Sequence, residues 1–141
     1  REGKNISQVI LNNAKVIEKL ITQTKKIMPK AIKLYRSKID KRFKEALIET
    51  ESDRLKQELL IFIQKSDITE EIDRLESHLK ELRRLLTLKE PVGKKMDFLM
   101  QEFNREANTL GSKAISVDIS RISVELKVII EQIREQIQNI E

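Results

Sequence analysis

The stretch Ile68-Thr-Glu-Glu-Ile-Asp-Arg-Leu-Glu-Ser-His-Leu-Lys-Glu-Leu-Arg-Arg-Leu-Leu86 decides the fold class. Its apolar side chains recur at alternating spacings of four and three: Ile68, Ile72, Leu75, Leu79, Leu82 and Leu86. This period places them along one face of a helix, as a heptad-like seam, and Ser66 or Asp67 can cap its start. A second seam of this kind consists of Ile115, Ile119, Ile122, Leu126, Ile129, Ile133, Ile137 and Ile140.

The same spacing predicts helices through the rest of the chain. One covers 6–28, and the next runs from a break at Pro29 to about 49. A third follows the possible N-caps Thr50 and Ser52. A further one runs from Lys94 to about Leu110 and is expected to bury Met96, Leu99, Met100, Phe103, Ala107 and Leu110. No stretch alternates as a strand would. We therefore predict an all-α, bundle-like fold of about six helices, several long and antiparallel, that assembles through its helical seams into an oligomer.

Composition excludes several classes of protein. Because the 141 residues contain no cysteine and one histidine, disulfide scaffolds, thiolate zinc sites, cysteine nucleophiles and multi-histidine metal sites are excluded. With 3 Gly and 2 Pro, the chain lacks the turn residues of a many-stranded β fold. No apolar run approaches the roughly 20 residues of a membrane span, and no signal-peptide pattern is present, so the expected compartment is the cytoplasm.

Charge is unevenly distributed along the chain. Residues 1–50 hold 13 Lys/Arg against 5 Asp/Glu, a net charge of +8, whereas residues 51–141 have a net charge of −3. We interpret 1–50 as a basic helical arm or hairpin and 51–141 as a helical domain. The basic residues between Lys15 and Lys44 could contact the phosphates of a polyanion, or could form an ordinary solvated face.

The segment from Gly93 to Lys113 carries unusual polar residues for a surface helix. Asp97, Gln101, Asn104 and Asn108 share one flank, Glu102 and Glu106 the other, and Phe98, Arg105 and Thr109 point away from the core. Amides and an exposed aromatic ring suit hydrogen bonding to RNA and stacking on a base. The alternative is that the amides hydrogen-bond across a helix–helix interface.

A second polar stripe precedes this segment. Glu71, Arg74 and His78 lie beside the first seam, and imidazole suits proton transfer near neutral pH. If the stripe faces the Gly93–Lys113 helix, it brings Glu71 and His78 to the carboxylates of that helix, a ligand set that suits Mg²⁺ or Mn²⁺. Otherwise His78 is a structural hydrogen-bond donor and the glutamates are surface carboxylates.

These residues resemble a known family. The run from Gly93 to Lys113, the upstream Arg74-Leu-Glu-Ser-His-Leu79 and the ending from Arg134 to Glu141 are similar to the YicC/YloC family of bacterial endoribonucleases. The start at Arg1 suggests a fragment, and the resemblance covers the chain as the C-terminal half of a protein about twice as long. Residues 114–118 match more loosely, and the basic stretch 15–44 is not part of the signature.

The resemblance implies a divalent-metal-dependent endoribonuclease that acts on RNA, including small regulatory RNA. It also implies a helical C-terminal half, a separate N-terminal domain and a ring-like homo-oligomer, expected to be a hexamer. The signature positions are Glu71, Arg74, Ser77, His78, Asp97, Gln101, Glu102, Asn104, Arg105, Glu106, Asn108, Thr109, Ser112 and Lys113.

We assign these residues expected roles. The catalytic candidates are Glu71, His78, Asp97, Glu102 and Glu106, and the metal ligands, for Mn²⁺ or Mg²⁺, are Glu71, His78, Glu102 and Glu106. The RNA-binding candidates are Arg74, Lys94, Lys95, Gln101, Asn104, Arg105, Asn108 and Lys113. The alternative function is a non-catalytic RNA-binding and oligomerisation domain, with the chemistry in the other half of the protein.

Overall fold

The computed structural model describes residues 2–45 and 53–139 of the chain. Within them it contains five α-helices and no strand: α1 (Glu2–Glu45), α2 (Asp53–Ser66), α3 (Thr69–Leu86), α4 (Gly93–Ser112) and α5 (Val117–Gln138). The all-α prediction is confirmed. None of the described helices is long and apolar enough to cross a membrane.

Four of the helices form a bundle. α1 and α4 each pack against both α3 and α5, so α1 lies diagonally opposite α4. Ion pairs between α1 and α3 show that these neighbours run antiparallel. Glu18 of α1 contacts Arg83 of α3, and Lys25, farther along α1, contacts Glu76, about two turns earlier on α3. Short connections between α3, α4 and α5 impose the same direction change.

The core follows the predicted seams. All six apolar residues predicted for α4 are buried: Met96, Leu99, Met100, Phe103, Ala107 and Leu110. The buried faces depart from the predicted seams at two positions, because Leu85 is buried where Leu86 was expected and Ile130 is buried where Ile129 was expected. A straight helix repeats every 3.6 residues, so its buried face drifts away from a strict seven-residue repeat.

The predicted break at Pro29 is wrong, because α1 continues through it for 44 residues. Proline fixes φ near the helical value and leaves one carbonyl of the preceding turn without its amide partner. Pro29 lies on the exposed side of α1, where water can reach that carbonyl, while the buried Ala31 keeps the helix on the core. This continuity removes one of the six predicted helices.

α1 also joins the two predicted domains. Its residues from Ile10 to Ala31 pack into the same core as α3, α4 and α5. Farther along, Ile39 and Phe62 form a second cluster with α2, in which the rings of Tyr35 and Phe62 stack 3.9 Å apart. The end of α1 and α2 therefore extend beyond the bundle as a helical pair, and the predicted boundary at residue 50 lies outside the described residues.

Candidate active site

The interface between α3 and α4 buries two carboxylates. Glu71 and Glu106 have 1% and 3% of their surfaces exposed. Lys113 Nζ donates to Glu71 Oε1 at 2.6 Å and to the backbone carbonyl of Asp67 at 3.1 Å. Arg74 Nε donates to Glu106 Oε1 at 2.8 Å. The predicted stripe on α3 therefore faces α4, and each buried carboxylate is neutralised by a cation.

Each of these pairs leaves one oxygen unused. Glu71 Oε2 and Glu106 Oε2 are buried and have no hydrogen-bond partner among the described residues. Buried polar atoms are nearly always hydrogen-bonded, so an unpaired carboxylate oxygen is an acceptor available to a ligand.

His78 lies on the same face of α3, one turn beyond Arg74. Its ring is half-buried, meets Phe103 edge-on with centroids 5.5 Å apart, and has an Nε2 atom with no partner among the described residues. Burial lowers the pKa of His78 below its ordinary 6.5, and the charge of Arg74 adds to this, although Glu106 and Glu102 oppose it. The lowered pKa favours the neutral imidazole near pH 7, the form that can accept a proton, although Nε2 itself is a buried atom.

A groove opens beside His78. It has a volume of about 700 Å³ and is lined by both α3 and α4. Besides His78, its lining includes two lysines, an aromatic ring and a glutamate: Lys94, Lys95, Phe98 and Glu102. Phe98 is 64% exposed, as predicted, which is unusual for an aromatic ring in a chain with so few of them. The groove thus combines a base, a carboxylate, two cations and a ring for stacking.

Asp97 does not join this site. It lies on the other flank of α4, where its carboxylate is 3.6 Å from Arg134 of α5. Gln101 lines the same α4–α5 surface together with Arg134. Successive residues of one helix point in directions about 100° apart, so the flanks of α4 face different neighbours. The expectation that Asp97 gathers with Glu71 and His78 is therefore wrong, whereas Glu102 and Glu106 do face His78.

The remaining candidates lie on the surface of α4. Arg105 and Asn108 are exposed and Asn104 is half-buried. Arg74 and Lys113, predicted to hold phosphates, are instead bonded to Glu106 and Glu71. The RNA-binding roles of all these residues stay predictions. Sequence reasoning missed Arg134 as a partner of Asp97, because only packing brings α5 beside α4.

The predicted metal ligands do not form a protein-only cluster. In residues 2–45 and 53–139, no group of three or more His, Asp or Glu side chains is arranged to hold a metal ion. Glu71 and Glu106 each have one carboxylate oxygen in an ion pair with a cationic side chain. Mg²⁺, however, is commonly held by one or two carboxylates together with substrate phosphates, and the candidates for that mode are Glu102 in the groove and Glu106 Oε2, which is buried.

Comparison with known proteins identifies relatives. The chain is 42% identical over 144 residues to a Haemophilus influenzae protein named "Probable endoribonuclease YicC", in a match that covers 100% of the chain and 49% of the relative. It is 40% identical over 143 residues to the protein of that name from Clostridioides difficile, covering 99% of the chain and 49% of the relative. The chain therefore spans about half the length of the curated relatives it matches.

A family model agrees with these relatives. Residues 22–141 match the model described as "Endoribonuclease YicC-like, C-terminal". The matched range includes the last part of α1 and all of α2 to α5, and so contains every candidate site residue. The chain belongs to the YicC-like endoribonuclease family and corresponds to its C-terminal region.

Proposed function

We propose that this chain carries the RNA-cleaving site of an endoribonuclease, in the groove between α3 and α4. One observation supports this most strongly: His78, whose pKa is lowered and whose Nε2 has no partner among the described residues, lies in a groove with Lys94, Lys95, Phe98 and Glu102. A titratable group in a cleft whose pKa is shifted by burial and by nearby charges is a candidate for an active site. The names of the relatives support the class of reaction.

In this proposal His78 is the general base. Its neutral imidazole accepts the proton of the nucleophile as the new bond to phosphorus forms, and the leaving oxygen takes a proton in turn. If the nucleophile is the adjacent 2′-hydroxyl, the P–O5′ bond breaks and leaves a cyclic phosphate and a 5′-hydroxyl. If it is water, the products are a 5′-phosphate and a 3′-hydroxyl. End-group analysis of the products distinguishes these two routes.

The other groove residues hold the RNA. Lys94 and Lys95 are exposed at the start of α4 and would neutralise phosphates, a contact that carries no sequence information. Phe98 would stack on a base, which every nucleotide permits. We further propose structured small RNAs, including regulatory ones, as the substrate class, because unpaired loops offer bases that can leave the stack.

We also propose that cleavage depends on a divalent cation, Mn²⁺ or Mg²⁺. Glu102 would hold it, together with Glu106 Oε2 and the phosphate oxygens of the RNA, because Glu102 forms no ion pair with any residue that the structure describes. When bound, such a cation neutralises charge on the reacting phosphate.

The test is cleavage of a structured small RNA by the purified chain with Mn²⁺, with and without EDTA. His78→Ala should lower the rate by about 10²–10⁴-fold, the usual contribution of general acid–base catalysis. Glu102→Gln should lower it and weaken its dependence on Mn²⁺. Lys80→Ala on α3 and Glu135→Gln on α5 are matched controls, since both side chains are exposed and lie outside the groove. Full activity in a folded His78→Ala variant would reject the proposal.

The second candidate function is RNA binding and assembly without catalysis. It is favoured by the ion pairs that already occupy Glu71 and Glu106. In that case the chain binds RNA but releases no EDTA-sensitive product, and the search for the active site moves to the part of the relatives that this chain does not cover.

A further inference from the structure

The solvent side of α1 carries a long row of lysines. We call it the lysine ridge: Lys15, Lys19, Lys26, Lys30, Lys33, Lys41 and Lys44, all exposed. At about 100° per residue these positions share the side of α1 opposite the buried Ile10, Ile17 and Ile21. Lys15 and Lys44 lie about 44 Å apart along the helix axis.

Most of the ridge has no acidic partner. In the residues that the structure describes, the five ridge lysines from Lys15 to Lys33 form no ion pair, whereas Lys25, which is not part of the ridge, pairs with Glu76. Of the ridge lysines only the last two face acids, with Lys44 3.2 Å from Asp40 and Lys41 4.0 Å from Glu45. The acid nearest the start of the ridge, Glu18, is bound to Arg83 of α3 at 2.6 Å.

This pattern costs helix stability. Like charges four residues apart, such as Lys15 with Lys19 and Lys26 with Lys30, repel each other along the helix. On other helices some exposed arginines pair with acids of their own helix, as Arg84 does with Glu81 and Arg121 with Glu125. The surfaces of α3 and α5 mix basic and acidic side chains, and such a mixture is enough to keep a helix soluble. The uniform positive charge of the ridge therefore favours a partner that has its own row of negative charges.

We infer that the lysine ridge binds the phosphate backbone of a structured RNA without reading its sequence. A row of cations along one side of a helix complements a polyanion with regularly spaced charges. An anionic membrane fits less well, because a helix that lies on lipid inserts its apolar face, and α3 and α5 already cover that face of α1. The choice of RNA rests on the proposed function.

The position of the ridge gives this inference a geometric consequence. α1 and α4 are diagonal in the bundle, so the ridge faces away from the groove that contains His78. Two helix layers separate them by about 20 Å. A short RNA bound in the groove cannot reach the ridge of the same chain, whereas a long one can pass around the bundle. The ridge should therefore strengthen the binding of long RNAs and leave a trinucleotide unaffected.

The experiment measures RNA binding by fluorescence anisotropy over a range of salt concentrations. The ridge variant is Lys26→Gln with Lys30→Gln and Lys33→Gln, and the control is Lys80→Gln with Lys89→Gln and Lys127→Gln, which removes the same charge from exposed positions elsewhere. For a hairpin RNA the ridge variant should bind about tenfold more weakly, and the slope of log Kd against log salt should fall by about 2–3, at 0.7–0.9 per lost phosphate contact. The control variant should change neither quantity by as much.

Several outcomes would overturn the inference. Equal weakening by both variants would mean that only net charge matters, and unchanged binding by the ridge variant would mean that the RNA binds elsewhere. Ridge-dependent binding to phosphatidylserine vesicles without ridge-dependent RNA binding would assign the surface to lipid. Circular dichroism checks that both variants fold, which we expect because glutamine is a good helix former at exposed positions.

The same variants separate this inference from the proposed function. If the chain binds the hairpin through the ridge but cleaves no RNA, the ridge inference is supported and the groove is not an active site. If the ridge variant cleaves and binds the hairpin like the parent chain, the proposed function of the groove is supported and the ridge inference is wrong.

Discussion

At the scale of single residues, the surroundings of His78 set its protonation. Its pKa lies below 6.5 because burial disfavours the imidazolium, with Arg74 acting in the same direction and Glu106 and Glu102 against it. Lys94, Lys95 and Glu81 also line the groove at this position. This balance makes the protonation of His78 the most direct readout of the proposed chemistry.

We predict that kcat/KM for RNA cleavage is constant near neutral pH and falls as the pH drops through the lowered pKa of His78. In the proposed mechanism the neutral imidazole is the base, so protonation should remove activity. Glu102→Gln should move this inflection to lower pH, because the Glu102 carboxylate raises the pKa of His78. The measurement is a pH–rate profile between about pH 5 and 8. An activity that rises on acidification would contradict the role as base.

The same shift links His78 to stability. The unfolded chain binds a proton near pH 6.5, whereas folded His78 resists it, so the unfolded state holds more protons as the pH falls. This contribution to stability is present above pH 6.5 and is lost on acidification through the lowered pKa. A His78→Ala variant should lack this part of the pH dependence of unfolding.

The buried pair of Glu71 and Lys113 gives a second prediction at this scale. Lys113→Met leaves a buried carboxylate without its cation and should lower the unfolding free energy by about 2–4 kcal/mol, because Lys113 keeps some solvent contact. Adding Glu71→Met removes the stranded charge and should recover most of the loss. Urea unfolding measures both, with Lys127→Met as an exposed control. A loss from the double variant that equals the sum of the single losses would show that the two groups do not interact.

At the scale of helices, one glycine sets how closely α4 approaches α5. A Cβ added at Gly111 would lie 2.6 Å from Ser123 Oγ, and that buried hydroxyl donates to the Ala107 carbonyl at 2.8 Å. The two helices meet here with no room for a methyl group, and this contact holds the α4 site helix on the bundle.

We therefore predict that Gly111→Ala destabilises the protein by about 1–3 kcal/mol, the usual cost of overpacking. In a Ser123→Ala background the same change should cost less, since the atom at 2.6 Å is gone. Thermal unfolding of the parent chain, the two single variants and the double variant gives the four stabilities of this double-mutant cycle. If Gly111→Ala costs the same in both backgrounds, Ser123 is not what limits the approach.

At the scale of the whole molecule, α5 exposes an apolar stripe. Val117, Val124 and Val128 lie on one side of the helix and are 85%, 59% and 51% exposed. A monomer rarely leaves several large apolar side chains aligned on one helix, and such stripes are typical of contacts between subunits. The homo-oligomer expected from the resemblance, a hexamer, remains a prediction for which this stripe is a candidate contact.

We predict that Val124→Glu with Val128→Glu lowers the molar mass of the chain in solution, as measured by light scattering at equal concentration. Charged side chains at both positions would be desolvated in such a contact without partners. Lys127→Glu, on a neighbouring side of α5, is the control. An unchanged molar mass would place the subunit contact elsewhere, and a monomeric parent chain would remove the oligomer prediction.

Much of this molecule follows from the sequence. The seams of α3 and α5, the buried face of α4 and the exposure of Phe98 follow from apolar spacing, because a helix repeats its faces at a fixed angle. The same spacing also predicts which polar side chains share a flank of α3 or α4. Local spacing does not determine whether a helix continues past Pro29, because that depends on core contacts that anchor the turns on both sides.

Only the tertiary structure decided which helix faces which. It brought Arg74 to Glu106 and Lys113 to Glu71, and so neutralised carboxylates that the sequence offered as metal ligands. It also turned Asp97 toward Arg134 on α5, away from His78. A sequence fixes the angle between side chains on one helix, whereas the partner of each face depends on how the helices pack against one another around the common core.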